Sequence, residues 1–170
     1  MNSEQLLADL VERIQNRFFG KYRGVVSQVD GATLRIKAKV PAVLGDQDCG
    51  WAMPCVPYAG DQVGMAFLPE VGAGVWIEFE GGDVSFPIWS GCYWRSGEIP
   101  SQAKPKVKAI VTNRNAVLVI DDDQGTVELS DNNQNKVTLS SEGIVLERAG
   151  KKVAVLTDKV AVNDGGLEVI

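Results

Sequence analysis

Residues 22–40 read YRGVVSQVDGATLRIKAKV, and the alternation within this segment sets the architecture of the front half of the chain. Along residues 32–40, apolar and basic side chains alternate with a period of two, as in a strand with one buried and one solvated face. The dipeptide Asp30-Gly31 separates this run from residues 23–29, and Asp-Gly between two such runs is a strong hairpin signal. The segment therefore predicts an antiparallel β-hairpin.

Further short runs of strand-like sequence follow, most of them bounded by glycine or proline. The segments that predict strands are residues 51–56, 64–69, 74–80 and 86–93. Pro54 and Pro69 suggest sheet edges or strand ends, because proline cannot donate to a ladder. Five or six short strands with glycine at the corners indicate a small closed barrel.

The first 18 residues predict an amphipathic helix that Ser3 can cap. Its apolar positions recur at helical spacing and form one stripe: Leu6, Leu7, Leu10, Val11, Ile14 and Phe18. Such a stripe needs a surface to cover it. The sequence leaves open whether that surface belongs to the same domain or to a partner.

The tail repeats a doublet of two aliphatic residues with one residue between them, and turn residues separate most of the doublets. The doublets are Val117/Val119, Val127/Leu129, Val137/Leu139, Ile144/Leu146, Val153/Val155, Val160/Val162 and Leu167/Val169. A regular repeat of short strands is typical of a β-solenoid or an oligomeric β-prism. Pro100 and Pro105 precede the repeat among small polar and basic residues, as in a linker. The chain thus divides into a helix (1–18), a barrel domain (19–95), a linker (96–113) and a needle-like tail (114–170).

The tail predicts oligomerisation, because it cannot enclose a core alone. It has no aromatic residue from Arg114 onward, and domains of this size bury too little surface to be stable by themselves. Three chains can form a triangular prism in which strands gain hydrogen-bond partners from neighbouring chains. The residues predicted to line its axis are Val127, Leu129, Val137, Leu139, Ile144, Leu146, Val153, Val155, Val160 and Val162. An ordinary β-domain and another oligomer remain alternatives.

Composition excludes several classes of function. The chain has 170 residues, a net charge of −5, three cysteines and no histidine. Without histidine there is no Ser-His-Asp or Cys-His chemistry and no histidine-ligated metal. An odd number of cysteines does not fit a disulfide framework, so buried free thiols are expected. No segment is apolar over the length that spans a bilayer, and the N-terminus lacks a signal peptide's apolar core.

Two clusters of acidic residues are candidate sites. Glu78, Glu80 and Asp83 resemble an acid–base cluster, although alternation predicts solvated side chains at Glu78 and Glu80. Residues 121–123 offer oxygen ligands for calcium, but they lack the full loop spacing and a distal glutamate, which favours a turn.

Two further sets of residues are candidate binding sites. Arg35, Lys37 and Lys39 near Trp51 suggest an OB-fold groove for single-stranded nucleic acid, yet the front half carries no excess of positive charge. Cys49 and Cys55 lack the additional soft ligands that zinc needs. We therefore expect no catalytic residue, metal, cofactor or nucleic acid. A single-strand binding module and a small carboxylate-based envelope hydrolase are the alternative functions.

The front half resembles the OB-fold of contractile-tail spikes. Residues 17–26, RFFGKYRGVV, look like the opening of that fold, and residues 66–87 resemble its P-x-x-G-x-x-V-W-x-x-F-x-x-G-D-x-x-x-P core. Residues 88–93, IWSGCY, fit its closing strand. The family comprises phage baseplate assembly protein V, the spike proteins of myophages and the VgrG proteins of type VI secretion. The repeating tail stands where those spikes carry a β-helix.

This resemblance implies an all-β fold with an N-terminal helix, a five-stranded OB-fold barrel and a triple-stranded intertwined β-helix formed by a homotrimer. It implies a structural central spike that pierces the target cell envelope when a sheath contracts, and not an enzyme. Such a spike is assembled in the bacterial cytoplasm into a baseplate and meets the target membrane only on firing. Phage tail, extracellular injection system and type VI apparatus remain alternatives, although the short chain favours the first two.

The resemblance also implies two partners. A separate hub protein is expected at the barrel end, because no hub domain is fused to the front. A tip protein of the PAAR type is expected at the other end, where we predict that Leu167, Val169 and Ile170 form an apolar platform. The chain departs from relatives in lacking a lysozyme domain and the His-x-His pair that binds axial iron.

Overall fold

The structure is a computed structural model that describes residues 2–15, 17–163 and 166–169. The chain forms two compact units, residues 1–98 and residues 99–170. In the described part of the chain, no helix is long and apolar enough to cross a membrane. Each unit is built mainly from β-strands.

The first unit begins with helix α1, Ser3–Gln15. Asn2, and not Ser3, caps it, because the Asn2 Oδ1 atom accepts a hydrogen bond from the Glu4 amide at 3.2 Å. The apolar residues whose side chains are described, Leu6, Leu7, Val11 and Ile14, are 43–65% exposed. These four residues of the stripe are therefore not covered by the first unit, whereas Phe18, beyond the end of α1, packs against its core.

The remaining elements of the first unit are short strands, one helical turn and a single 3-10 turn at residues 80–82. They are β1 (Tyr22–Asp30), β2 (Arg35–Lys39), α2 (Pro41–Leu44), β3 (Met53–Pro54), β4 (Ala59–Gly60), β5 (Val63–Gly64), β6 (Gly74–Phe79) and β7 (Pro87–Tyr93). Five of the strands form a sheet in the order β2-β1-β6-β7-β3. The sheet curls so that Ala52, next to β3, forms a β-bridge with Ile36 of β2. The Ala52 amide donates to the Ile36 carbonyl at 2.8 Å.

The predicted β-hairpin of residues 22–40 is present, with β1 and β2 antiparallel and Asp30 opposite Arg35. Its alternating residues fill the core, because every second side chain of β2 points inward. The buried core consists of Val26, Ile36, Ala38, Val40, Cys49, Ala52, Val75, Ile77, Phe79 and Trp89. The Trp89 Nε1 atom donates to the Leu34 carbonyl at 3.2 Å, so the one polar atom of this side chain is satisfied.

The structure differs from the sequence-based expectation between β3 and β6. We predicted a strand over residues 64–69, but only Gly64 of this range is in a strand, and β5 pairs with β4 alone. The reason is local, since Val63–Gly64 folds back on Ala59–Gly60 as a two-residue hairpin. The chain leaves that ladder before Pro69.

The second unit is one antiparallel sheet in which neighbouring strands follow each other along the chain. Its strands are β8 (Val107–Val111), β9 (Val117–Asp121), β10 (Thr126–Ser130), β11 (Asn135–Ser140), β12 (Gly143–Arg148), β13 (Lys151–Leu156), β14 (Val160–Val162) and β15 (Leu167–Val169). β8 lies within residues 96–113, for which we predicted a linker. It is a strand because a turn closed by the Thr112 amide and the Ala116 carbonyl, 3.0 Å apart, lays it against β9.

Candidate functional site: an exposed apolar face

The register of the second sheet gathers the predicted axis residues on one face. Residues directly opposite each other in an antiparallel pair point to the same face. Val137 lies opposite both Leu129 and Leu146, and Leu146 lies opposite Val153. Followed from β9 to β15, such pairs form two adjacent columns. The first contains Leu118, Leu129, Val137, Leu146, Val153, Val162 and Leu167, and the second contains Ile120, Val127, Leu139, Ile144, Val155, Val160 and Val169. We call these residues the two-column face.

The two-column face is aliphatic throughout and largely exposed in the single chain. Its more exposed members range from Val160, at 36%, to Val169, at 61%. Contiguous apolar patches of this kind are rare on monomeric proteins and mark association surfaces. The face can therefore pack against other apolar sheets, and it offers no group for catalysis.

The opposite face of the sheet is mixed in polarity. Glu128 and Thr138 lie opposite each other on it, and the Lys136 Nζ atom lies 2.6 Å from a Glu128 carboxylate oxygen. Ala154 and Ala161 form a small buried pair there. Lysine and glutamate suit contact with water, so this face differs in chemistry from the two-column face.

β9 enters the face in a register that differs from the predicted doublets. We predicted that Val117 and Val119 continue the row, but Leu118 and Ile120 lie opposite Leu129 and Val127. Val119 instead lies opposite Glu128, on the mixed face. The reason is that all of residues 117–120 are apolar, so alternation alone does not fix which residues point to which side.

The inner strands of the sheet find all their ladder partners within one chain. β9 to β14 each pair with a strand on both sides, and β8 and β15 are the edge strands of the described sheet. We predicted that strands gain hydrogen-bond partners from neighbouring chains. The structure instead pairs them within the chain, because the turns between successive strands are short enough to fold the tail into a meander.

Polar turns hold the register of this sheet. In the turn between β10 and β11, Asp131 accepts hydrogen bonds from the backbone and side chain of Asn135 at 3.0 and 2.8 Å. These bonds, with those from Asn133, favour the charged carboxylate and lower the pKa of Asp131 to about 2. Asp131 therefore stabilises this turn as a charged carboxylate.

Residues 121–123, considered above as calcium ligands, form a turn of the same kind, as the sequence favours. The Asp121 Oδ1 atom accepts the amides of Asp123 and Gln124 at 2.9 and 3.0 Å. Asp123 pairs with Lys106, and Asp122 pairs with Lys108. The carboxylates are thus engaged by amides and lysines, which is the arrangement of a structural turn.

The predicted acid–base cluster is dispersed among separate partners. The Glu78 carboxylate lies 2.6 Å from the Lys21 Nζ atom and accepts the Ser90 hydroxyl at 2.6 Å. The hydrogen bond from Lys21, followed by that from Ser90, lowers the pKa of Glu78, which opposes the role of a general acid. Asp83 instead bonds the Ser85 amide at 3.0 Å, which also lowers its pKa.

Two of the three basic residues of β2, Lys37 and Lys39, have partners within the same unit. The Lys37 Nζ atom lies 5.0 Å from the centre of the Trp51 ring, a cation–π contact. Lys39 pairs with Asp48 at 3.5 Å. A nucleobase that stacks on this face of the Trp51 ring has to displace Lys37, so these residues do not form a continuous basic track with an open ring face.

Of the three free cysteines, only Cys49 is buried, whereas Cys55 and Cys92 are exposed. Burial, as the largest effect, raises the pKa of Cys49. This corrects the expectation of three buried thiols, because Cys55 and Cys92 fall at outward positions near the sheet edge. Among the described residues, no cluster of three or more cysteine or acidic side chains is placed to hold a metal ion.

The predicted tip residues lie on the last strand. Leu167 and Val169 belong to β15, where they extend the two-column face to the edge of the sheet. Both are more than half exposed. Ile170, the third predicted tip residue, lies outside the described residues.

Comparison with family models separates the chain into the same two parts. A model of the type VI secretion system/phage-baseplate injector OB domain matches residues 22–94. A model of the phage baseplate V C-terminal trimerisation domain matches residues 108–168. The first match covers the curled barrel, and the second covers the sheet with the two-column face. A search of curated proteins gave no match.

Proposed function

Because the chain belongs to the phage baseplate V family, we propose that three copies of it form the central spike of a contractile injection machine. The family assigns the chain a structural role in the baseplate of a phage tail or injection particle, and its trimerisation domain supports a homotrimer. The proposal adds that contraction of a sheath drives this spike through the target cell envelope. This role is mechanical and requires neither a catalytic residue nor a cofactor.

The single observation that supports the proposal best is the two-column face. Three sheets packed with these faces inward make a prism whose axis is lined by Val127, Leu129, Val137, Leu139, Ile144, Leu146, Val153, Val155, Val160 and Val162. The mixed faces then point to water. Each wall retains the hydrogen bonds of its own meander, so the prism resists bending along every wall and excludes water from its axis.

The partners follow from surfaces that one chain leaves uncovered. The exposed stripe of α1, with Leu7 and Ile14, fits a separate hub protein at the barrel end. At the other end, we propose that Leu167 and Val169 from three chains, together with Ile170, form the platform for a PAAR-type tip. A variant that lacks residues 165–170 is then expected to trimerise but not to retain the tip. Unchanged tip binding by this variant refutes the platform.

We also propose where the spike is assembled and where it acts. The spike assembles in the bacterial cytoplasm, becomes part of a phage tail or an extracellular injection particle, and meets a membrane only on firing. Particles that carry the shortened spike are expected to contract but to deliver less efficiently. Contraction with full delivery counts against a piercing role.

The experiment that tests the assembly is an absolute mass by light scattering at two concentrations. We expect about 55 kDa, three times the chain mass of 18.3 kDa, at both. A stable monomer with an ordered second sheet contradicts the proposal, because the two-column face then tolerates water.

A further inference from the structure

An apolar arm projects from the barrel unit between β3 and β6. It consists of residues 57–68, whose centre is the hairpin of β4 and β5. The ladder continues one step beyond those strands, since the Met65 amide donates to the Tyr58 carbonyl at 2.9 Å. The arm is thus an ordered hairpin and not an irregular loop.

One face of this hairpin is apolar and uncovered. Ala59 lies opposite Gly64 and Gly60 lies opposite Val63, so alternation places Tyr58, Val63 and Met65 on the same face. A Cβ atom on Gly60 would lie 3.0 Å from the Val63 Cγ2 atom, which shows that Val63 leans over that glycine. These three side chains are 46–57% exposed, although a hairpin this short needs packing to be stable.

The same unit contains a pocket that fits one aromatic ring. It has a volume of about 140 Å³, close to the roughly 150 Å³ that takes up benzene in an apolar cavity. Its lining is mixed in polarity and consists of Trp51, Met53, Phe86, Pro87 and Ile88 together with Arg35, Glu80 and Ser85. Phe86 and Met53 are themselves half-exposed, so the pocket is open to a partner.

The arm and the pocket do not cover each other within one chain, since both stay exposed. In a trimer with a three-fold axis, neighbouring copies touch through two different patches, and the contact closes into a ring. This chain carries two such patches on one domain, one with a projecting aromatic ring and one with a ring-sized pocket. Asp61, the single charged residue in the arm, has the charge opposite to that of Arg35, and Glu80 in the same lining balances Arg35 when the pocket is empty.

We propose that the arm of each copy packs on the barrel of the next copy, with the Tyr58 ring in the pocket between Trp51, Met53 and Phe86. The contact rests on the trimer of the proposed function, because the trimerisation domain holds three barrels close together. It links the barrels into a ring, and it adds an interface that the two-column face does not supply. The arm therefore belongs to the assembly of the spike and not to a ligand site.

Photo-crosslinking of the full-length trimer tests this contact. The photoreactive residue p-benzoylphenylalanine replaces Tyr58, and the purified trimer is irradiated and separated under denaturing conditions. We expect bands at the masses of two and three chains. Mass spectrometry is expected to join the arm to residues 51–53 or 86–88. The additional change Phe86→Ala is expected to reduce this crosslink several-fold. The matched change Phe19→Ala, at another exposed aromatic residue, leaves it unchanged.

The outcomes separate this inference from the proposed function. A trimer that gives only crosslinks within one chain, or none, overturns the inference and leaves the spike proposal intact. A trimer whose arm crosslinks only after a hub protein is added also overturns it, because the arm then serves a different protein. A monomeric protein overturns both. Slow hydrogen exchange at the Met65 amide in the trimer supports the contact independently, whereas exchange at the rate of an open hairpin refutes it.

Discussion

A carboxylate placed on the proposed axis tests the assembly most directly. In Val160→Asp, each chain carries the new charge in the column between Val155 and Val169. Val160 is already only 36% exposed in one chain, and three inward faces remove the remaining access to water. Arg148 and Lys151 lie on the same side of the sheet but beyond the other column, so the three carboxylates meet without a partner. We expect the trimer to dissociate.

The magnitude follows from the cost of burying charge. A buried, unpaired ion costs several kcal/mol after relaxation, so three of them cost about 10 kcal/mol. Since 1.4 kcal/mol is a factor of ten, this lowers the association constant of the trimer by about seven powers of ten. The effect exceeds that of losing three valine contacts, at about 2 kcal/mol each.

The assay is light scattering with and without acid, and Val145→Asp is the control. Val145 lies opposite Ala154 on the mixed face, beside Lys152 and Lys159, so its variant is expected to stay trimeric. In the Val160 variant, burial raises the pKa of the new carboxyl above its ordinary value of about 3.9. The free-energy cost of burying the charge is absent below about pH 3.9 and grows as the pH rises, so the trimer should reassemble in acid. A Val160→Asp trimer as heat-resistant as the wild type at neutral pH refutes an inward two-column face.

Three further predictions concern the fold that supports this face. Gly143→Ala should separate β12 from β13, because a Cβ atom there would lie 2.2 Å from the Val155 carbonyl oxygen and the φ angle is +148°. The amides of both strands should then exchange hydrogen faster. Unchanged protection of these amides contradicts the prediction. Asp131 should titrate by NMR near its lowered pKa of about 2, since two asparagines of its turn bond the charged form. The stabilising effect of the Asp131 carboxylate is present above pH 3.8, its ordinary pKa, and is lost as the pH falls through about 2. A titration midpoint near 3.8 refutes this prediction. Trp89→Phe should destabilise the barrel by about 1 kcal/mol, since the Leu34 carbonyl loses its donor in a part-buried hydrogen bond. Every tryptophan lies in the first unit, so intrinsic fluorescence reports that unit alone, and an unchanged melting temperature contradicts the role of this bond.

Much of the second unit follows from residues that are close in sequence. Strand alternation and turn residues are local properties, so the doublets from Val127 to Val169 indicate both the strands and their shared face. The same alternation predicts the hairpin of residues 22–40. In the stretch 117–120 every residue is apolar, and local sequence cannot decide which side chains point inward. There, only pairing with β10 places Leu118 and Ile120 on the face.

The sequence by itself determined the all-β class, the two-part organisation and the aliphatic repeat, because these depend on periodicity and composition. The tertiary structure alone decided which distant side chains meet. Glu78 became a paired carboxylate because β6 and β7 bring Lys21 and Ser90 to it. The arm and its pocket also emerged only in the folded unit, since the hairpin at residues 59–64 has weak local signals. Local patterns fix strands, whereas contacts between residues far apart in sequence fix charge, register and the surfaces that remain for partners.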